Sequence, residues 1–147
     1  FEKVGYYDEK INFSEDLDFN VRANLHFKLA YSKSIEMQYS MQSENQITNS
    51  KISDKNLPDF NKYLKWEINN KDLKKYLDFE RYILAKKLKM EGSKEKSKKI
   101  MQQIDPKNLN QKQKILLFFP SLIVRIILKL KIKLIENGIK ITSYSNN

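Results

Sequence analysis

Five carboxylates, Asp8, Glu9, Glu15, Asp16 and Asp18, stand within eleven residues of a chain whose formal net charge is +10. Three chemistries fit such a cluster. Glu15 and Asp16 complement the positive end of a helix dipole if a helix starts beside them. Asp16-Leu17-Asp18 has the D-x-D spacing of a metal ligand pair, but on a helix residues two apart diverge by about 200° and cannot meet at one ion. The third is general base catalysis, in which Asp16, beside Glu15, takes a proton from a hydroxyl. That role needs a cleft, a fixed orientation and an ionised carboxylate, and a helix N-terminus favours the last two.

Two elements must position these groups. Gly5-Tyr6-Tyr7-Asp8-Glu9 reads as a turn, because glycine adopts backbone angles that other residues avoid. The spacing of Leu17, Val21 and Leu25 predicts a helix from Ser14, capped by Ser14 or by an Asn12/Glu15 capping box. Phe27 to Tyr31 and Ile35 to Met41 alternate apolar and polar residues and read as two short strands. A polar loop from Gln42 to Pro58 follows.

The residues Phe1-x-x-Val4-Gly5-Tyr6-Tyr7-Asp8-Glu9, then Ser14-Glu15-Asp16-Leu17-Asp18-Phe19, then Arg22, resemble the acceptor half of family 2 glycosyltransferases. That family often reads G-(aromatic)-D-E … E-D-x-D-(aromatic)-x-x-R here, and the pattern covers residues 1–49. The resemblance implies an α+β chain, namely the C-terminal part of a GT-A α/β domain followed by a mostly helical extension. It implies inverting transfer of a sugar from a nucleotide-sugar donor to a hydroxyl on a glycan or lipid-linked acceptor, as in polysaccharide biosynthesis. Asp16 would be the base and Glu15 its acidic neighbour. Gly5, Tyr6, Tyr7, Asp8 and Arg22 would line the acceptor side. Gln42 stands where the family often has a histidine, three residues past Tyr39. No D-x-D closes a strand and no Gly-rich nucleotide-binding turn is present. The resemblance therefore places the donor half, with most of the contacts to a Mg or Mn ion, upstream of Phe1, and this chain would not turn over alone. No metal ligand is assigned here.

Composition sets the wider frame. The chain has 147 residues and no cysteine, which excludes disulfides, thiolate metal sites and a cysteine nucleophile. Residues 1–60 carry 7 basic and 10 acidic side chains, whereas residues 61–147 carry 21 and 8. The boundary expected from pattern separates an acceptor-side portion, 1–57, from a basic helical extension, 58–147. Within the second part, Phe60, Tyr63, Leu64 and Ile68 mark one helix. A longer helix runs from Lys71 to Met90, with Leu73, Tyr76, Leu77, Tyr82, Ile83, Leu84 and Leu88 on its apolar side, and Gly92 stops it. A short basic helix follows as far as Asp105-Pro106. The last helical stretch, 111–136, is interrupted at Pro120, and residues 139–142 suggest a final strand.

His26, the only histidine, has no second histidine with which to share a metal and reads as a surface or capping residue. Trp66 and the tyrosines of residues 60–85 fall at helical spacing and read as packing, which disfavours a base-stacking nucleic-acid surface. The stretch from Ile115 to Ile135 is broken too often to span a bilayer, which needs about 20 consecutive apolar residues. It suits either packing on the domain or peripheral membrane contact. The expected location is the cytoplasm, either free or peripheral to the inner face of a membrane. The rival expectation is a non-catalytic basic helical module that binds a membrane surface or nucleic acid.

Overall fold

The computed structural model describes residues 1–30, 32–34 and 50–139, and within them every regular element is a helix or a 3-10 turn. The chain divides into two compact units, residues 1–59 and 60–147.

The first unit holds α1, Glu15–His26, with Leu17 and Val21 buried one turn apart and Leu25 half-buried. The amphipathic stripe therefore forms as its spacing predicts, but the cap does not. Ser14 occupies the N-cap with φ 60, in the left-handed region, and its side chain makes no capping hydrogen bond. Asn12 is engaged elsewhere: its N–H donates to Asn56 O at 3.2 Å, and Asn56 N–H donates to Asn12 Oδ1 at 2.8 Å. This reciprocal pair ties the lead-in of α1 to the segment after the 3-10 turn Ile52–Asp54, whose Ile52 is buried. The predicted capping box is absent because its asparagine is used across 44 residues of sequence instead.

The expected α+β class, a C-terminal piece of a GT-A domain, is overturned: among the described residues there is no strand. Residues 27–30 leave α1 without ladder partners, and Leu29 is 80% exposed. Alternation makes a strand only where a neighbouring strand satisfies its backbone and a layer covers its apolar face. Tyr31, the second expected strand from Ile35 to Met41, and most of the expected strand at 139–142 lie outside the described residues.

The second unit is built on α3, Lys71–Glu91, against which α2, Leu64–Glu67, α4, Lys94–Met101, α5, Gln111–Phe118, and α6, Ser121–Glu136, all pack. Asn70 caps α3 by accepting from Leu73 N–H at 3.0 Å. Gly92 ends it at φ 91, where its N–H and that of Ser93 satisfy the last carbonyls. The chain then reverses into α4, whose buried Ser97 hydroxyl donates to Ala85 O at 2.8 Å. Tyr82, Ala85, Ile104, Leu109 and Leu117 form one cluster of the core, with Phe79, Ile83, Ile100 and Met101 packed against it. Asn110 and Gln113 make the capping box of α5, and Pro120 separates α5 from α6. The first predicted helix of this unit is shorter than its pattern suggests: Phe60 and Tyr63 are buried in a 3-10 turn, while Leu64 and Ile68 face solvent.

Candidate functional site

The candidate site in the first unit is organised by Arg22. Its Nε donates to Asp18 Oδ2 at 3.0 Å, one turn back on α1. Its Nη2 donates to Tyr6 O at 2.7 Å and its Nη1 to Val4 O. One guanidinium thus clamps both sides of Gly5 to the helix. Gly5 has φ 78, and a Cβ there would sit 3.4 Å from Arg22 Nη1. The glycine is required by backbone angle and by the closeness of the clamp. Asp18, wholly buried, supplies the counter-charge.

The clamped turn carries aromatic rings onto α1. Tyr7 stacks on Phe19 with centroids 4.6 Å apart, and Phe1 stacks on Tyr6 at 5.1 Å. The Arg22 guanidinium lies 5.6 Å from the Phe19 ring centre. Phe19 is one helical turn beyond Glu15 and Asp16, so all three share adjoining faces of α1. Glu15 and Asp16 are exposed in the first turn, and Leu17 N–H donates to Asp16 Oδ1 at 2.9 Å. Asp8 closes the preceding turn, with its Oδ1 accepting from Lys10 N–H and its carbonyl from Ile11 N–H, both at 3.0 Å. His26 is exposed at the last residue of α1.

Every sequence-assigned site residue therefore lies in one unit, in two roles. Glu15, Asp16, Tyr6 and Tyr7 are open to solvent. Gly5, Asp8 and Arg22 build the turn beneath them. Asp16 and Asp18 do not converge: one is exposed and the other is committed to Arg22. They do not fit a shared divalent ion, and among the described residues no three acidic, histidine or cysteine side chains gather as a metal site.

The second unit holds a charged cluster that sequence periodicity does not single out. Arg81, fully buried, binds Glu67 with Nη2–Oε1 at 2.5 Å and Asp78 with Nη1–Oδ1 at 3.0 Å. Lys74 reaches Asp78 at 2.6 Å and Glu67 at 3.3 Å. The second oxygen of Asp78 accepts from Asp105 N–H at 3.0 Å and Asn108 Nδ2 at 2.8 Å. The carboxylate is saturated and inaccessible: it fastens Asp105 and Asn108 to α3, while Arg81 and Lys74, which it also holds, fasten Glu67 of α2. The visible signal was Lys74-x3-Asp78-x2-Arg81, with contact spacing on a helix. Beside it a shallow groove is lined by Lys75, Tyr76, Lys107 and Asn110, with Asp72 among its walls.

No protein-family model matches the chain, and no curated protein or solved structure matches it either.

Proposed function

We propose that residues 1–26 form the acceptor-side wall of a sugar-transferring enzyme. Asp16 takes the proton of an acceptor hydroxyl while that oxygen bonds to the anomeric carbon of a nucleotide-sugar. The bond from that carbon to the nucleotide's terminal phosphate breaks as the new one forms, and the anomeric configuration inverts. Glu15 adds a second negative charge at the helix start, and Tyr6 and Tyr7 offer ring faces to the acceptor. The observation that carries this proposal is the Arg22-clamped turn, which sets Tyr7 on Phe19 one helical turn from Asp16.

The donor site and the Mg or Mn ion that commonly attends such donors require elements other than these residues. On this proposal the chain works in the cytoplasm, peripheral to the inner face of a membrane. Among the described residues no helix is long and apolar enough to cross one. The test is release of nucleotide by the full-length polypeptide from a set of nucleotide-sugars with a glycan or lipid-linked acceptor. The product's anomeric configuration is then read by NMR. Acceptor-dependent release with inversion supports the proposal, and retention of configuration contradicts it.

The rival, a non-catalytic basic module, draws on the charge of residues 61–147, 21 basic against 8 acidic. Its nucleic-acid form predicts binding whose logarithm falls steeply and linearly with the logarithm of salt concentration. A flat salt series with oligonucleotides removes it.

A further inference from the structure

Of the sixteen residues of α6, only Val124 is buried. Arg125 fixes the same side of the helix, its Nε donating to Met90 O at 3.1 Å at the end of α3. At about 100° per residue, Leu122 and Ile126 point directly away from Val124, with Leu130 and Ile123 beside them. These residues are open to solvent: Leu122 is 67% exposed, Ile126 51% and Leu130 56%. Lys129, also exposed, lies at the edge of this apolar face, and Lys133 projects between the directions of Leu122 and Ile126, nearly two turns beyond Ile126. Residues 111–139 contain six basic side chains and one acidic, Glu136.

We infer that α6 docks this unit on a bilayer surface bearing anionic lipid, lying in the plane of the headgroups. A 16-residue helix is about 24 Å long, shorter than the hydrocarbon core, and its polar stripe forbids a spanning pose. An in-plane pose satisfies both faces at once: Leu122, Ile123, Ile126 and Leu130 enter the acyl boundary while Lys129 and Lys133 extend to phosphates. The sign of the charge selects lipid over a second copy of the chain. Pairing two α6 faces would bring Lys129 and Lys133 of both helices close together, and like charges at such range repel. An anionic surface turns the same lysines into attractive contacts. The inference rests on α6 alone and is independent of sugar transfer.

The test is co-sedimentation of the 147-residue chain with vesicles of phosphatidylcholine alone and of phosphatidylcholine mixed with phosphatidylglycerol. Binding to the mixed vesicles is expected to be at least about tenfold tighter and to weaken as salt is raised. The triple variant Leu122→Ser, Ile126→Ser, Leu130→Ser is expected to lose about tenfold or more of that binding. Its helical circular dichroism should be unchanged, because it touches only exposed positions. A second variant, Lys129→Glu with Lys133→Glu, is expected to erase the preference for anionic vesicles. Equal binding by wild type and both variants would overturn the inference. So would a dimer in sedimentation velocity that the triple variant abolishes, with no vesicle binding by the wild type.

Discussion

Arg22 Nε lies 3.0 Å from Asp18 Oδ2, and the same guanidinium reaches across 16 residues of sequence to Tyr6 O at 2.7 Å. A helix-surface ion pair is thereby converted into the joint between α1 and the turn that carries Tyr6 and Tyr7. Arg22→Lys is not conservative here, because an ammonium cannot match the fork that spans Asp18 Oδ2 and two carbonyls. Loss of about 2 kcal/mol is expected for Arg22→Lys and somewhat more for Arg22→Ala, which leaves buried Asp18 without its guanidinium. Urea denaturation followed by circular dichroism measures it.

Gly5→Ala tests the backbone beneath the joint. A Cβ at φ 78 is strained whatever the space, and this one also meets Arg22 Nη1 at 3.4 Å. The expected loss is about 1–2 kcal/mol. Weakened stacking of Tyr7 on Phe19, seen in the aromatic proton shifts, should accompany it.

In the second unit, Asp78→Ala removes a carboxylate that holds Lys74, Arg81, Asp105 N–H and Asn108 together. Arg81 and Glu67 remain buried and incompletely matched. The expected destabilisation is about 3–5 kcal/mol, enough to remove much of the stability of a domain this size. Thermal unfolding by calorimetry reads it directly.

Lys86 provides a pH test. Burial of this α3 side chain, with Lys131 nearby as the lesser cause, lowers its pKa below the ordinary 10.5. Its Nζ lies over the Tyr82 ring at 4.9 Å. Between the lowered value and 10.5 the unfolded chain binds the proton more tightly, so the stability contributed at this position rises with pH across that window. Lys86→Met, which keeps the stem, is expected to raise the midpoint of unfolding at neutral pH. The advantage should narrow as pH climbs towards 10.5. A constant difference across the range would contradict the assignment.

The helices were legible where one face is buried and punctuation is strong. Leu17 and Val21 mark α1, Gly92 ends α3 in a left-handed conformation, and Pro120 separates α5 from α6. The turn at Gly5 was legible for the same reason. What periodicity cannot show is which long-range partner takes a polar side chain. Asn12 is drawn to Asn56 and not to a capping box. Asp18 and Arg22 become a clamp, although their spacing alone marks only a surface pair. The buried Glu67–Arg81–Asp78 cluster sits where apolar patterning predicts an ordinary helix face. The strand at 27–31 fails over its described residues because alternation is a local signal, whereas a strand exists only through its neighbour.

The proposed chemistry rests on Asp16, and its exposure makes the variant clean. Asp16→Asn keeps the shape and removes the basic oxygen, and an exposed first-turn carboxylate contributes under about 1 kcal/mol to folding. The direct measurement is kcat for sugar transfer by the full-length Asp16→Asn polypeptide, against wild type and Glu15→Gln, with unfolding midpoints recorded for all three. General base catalysis predicts a fall of about a hundredfold or more for Asp16→Asn with an unchanged midpoint, and a smaller fall for Glu15→Gln. Turnover within a few-fold of wild type for Asp16→Asn would contradict it.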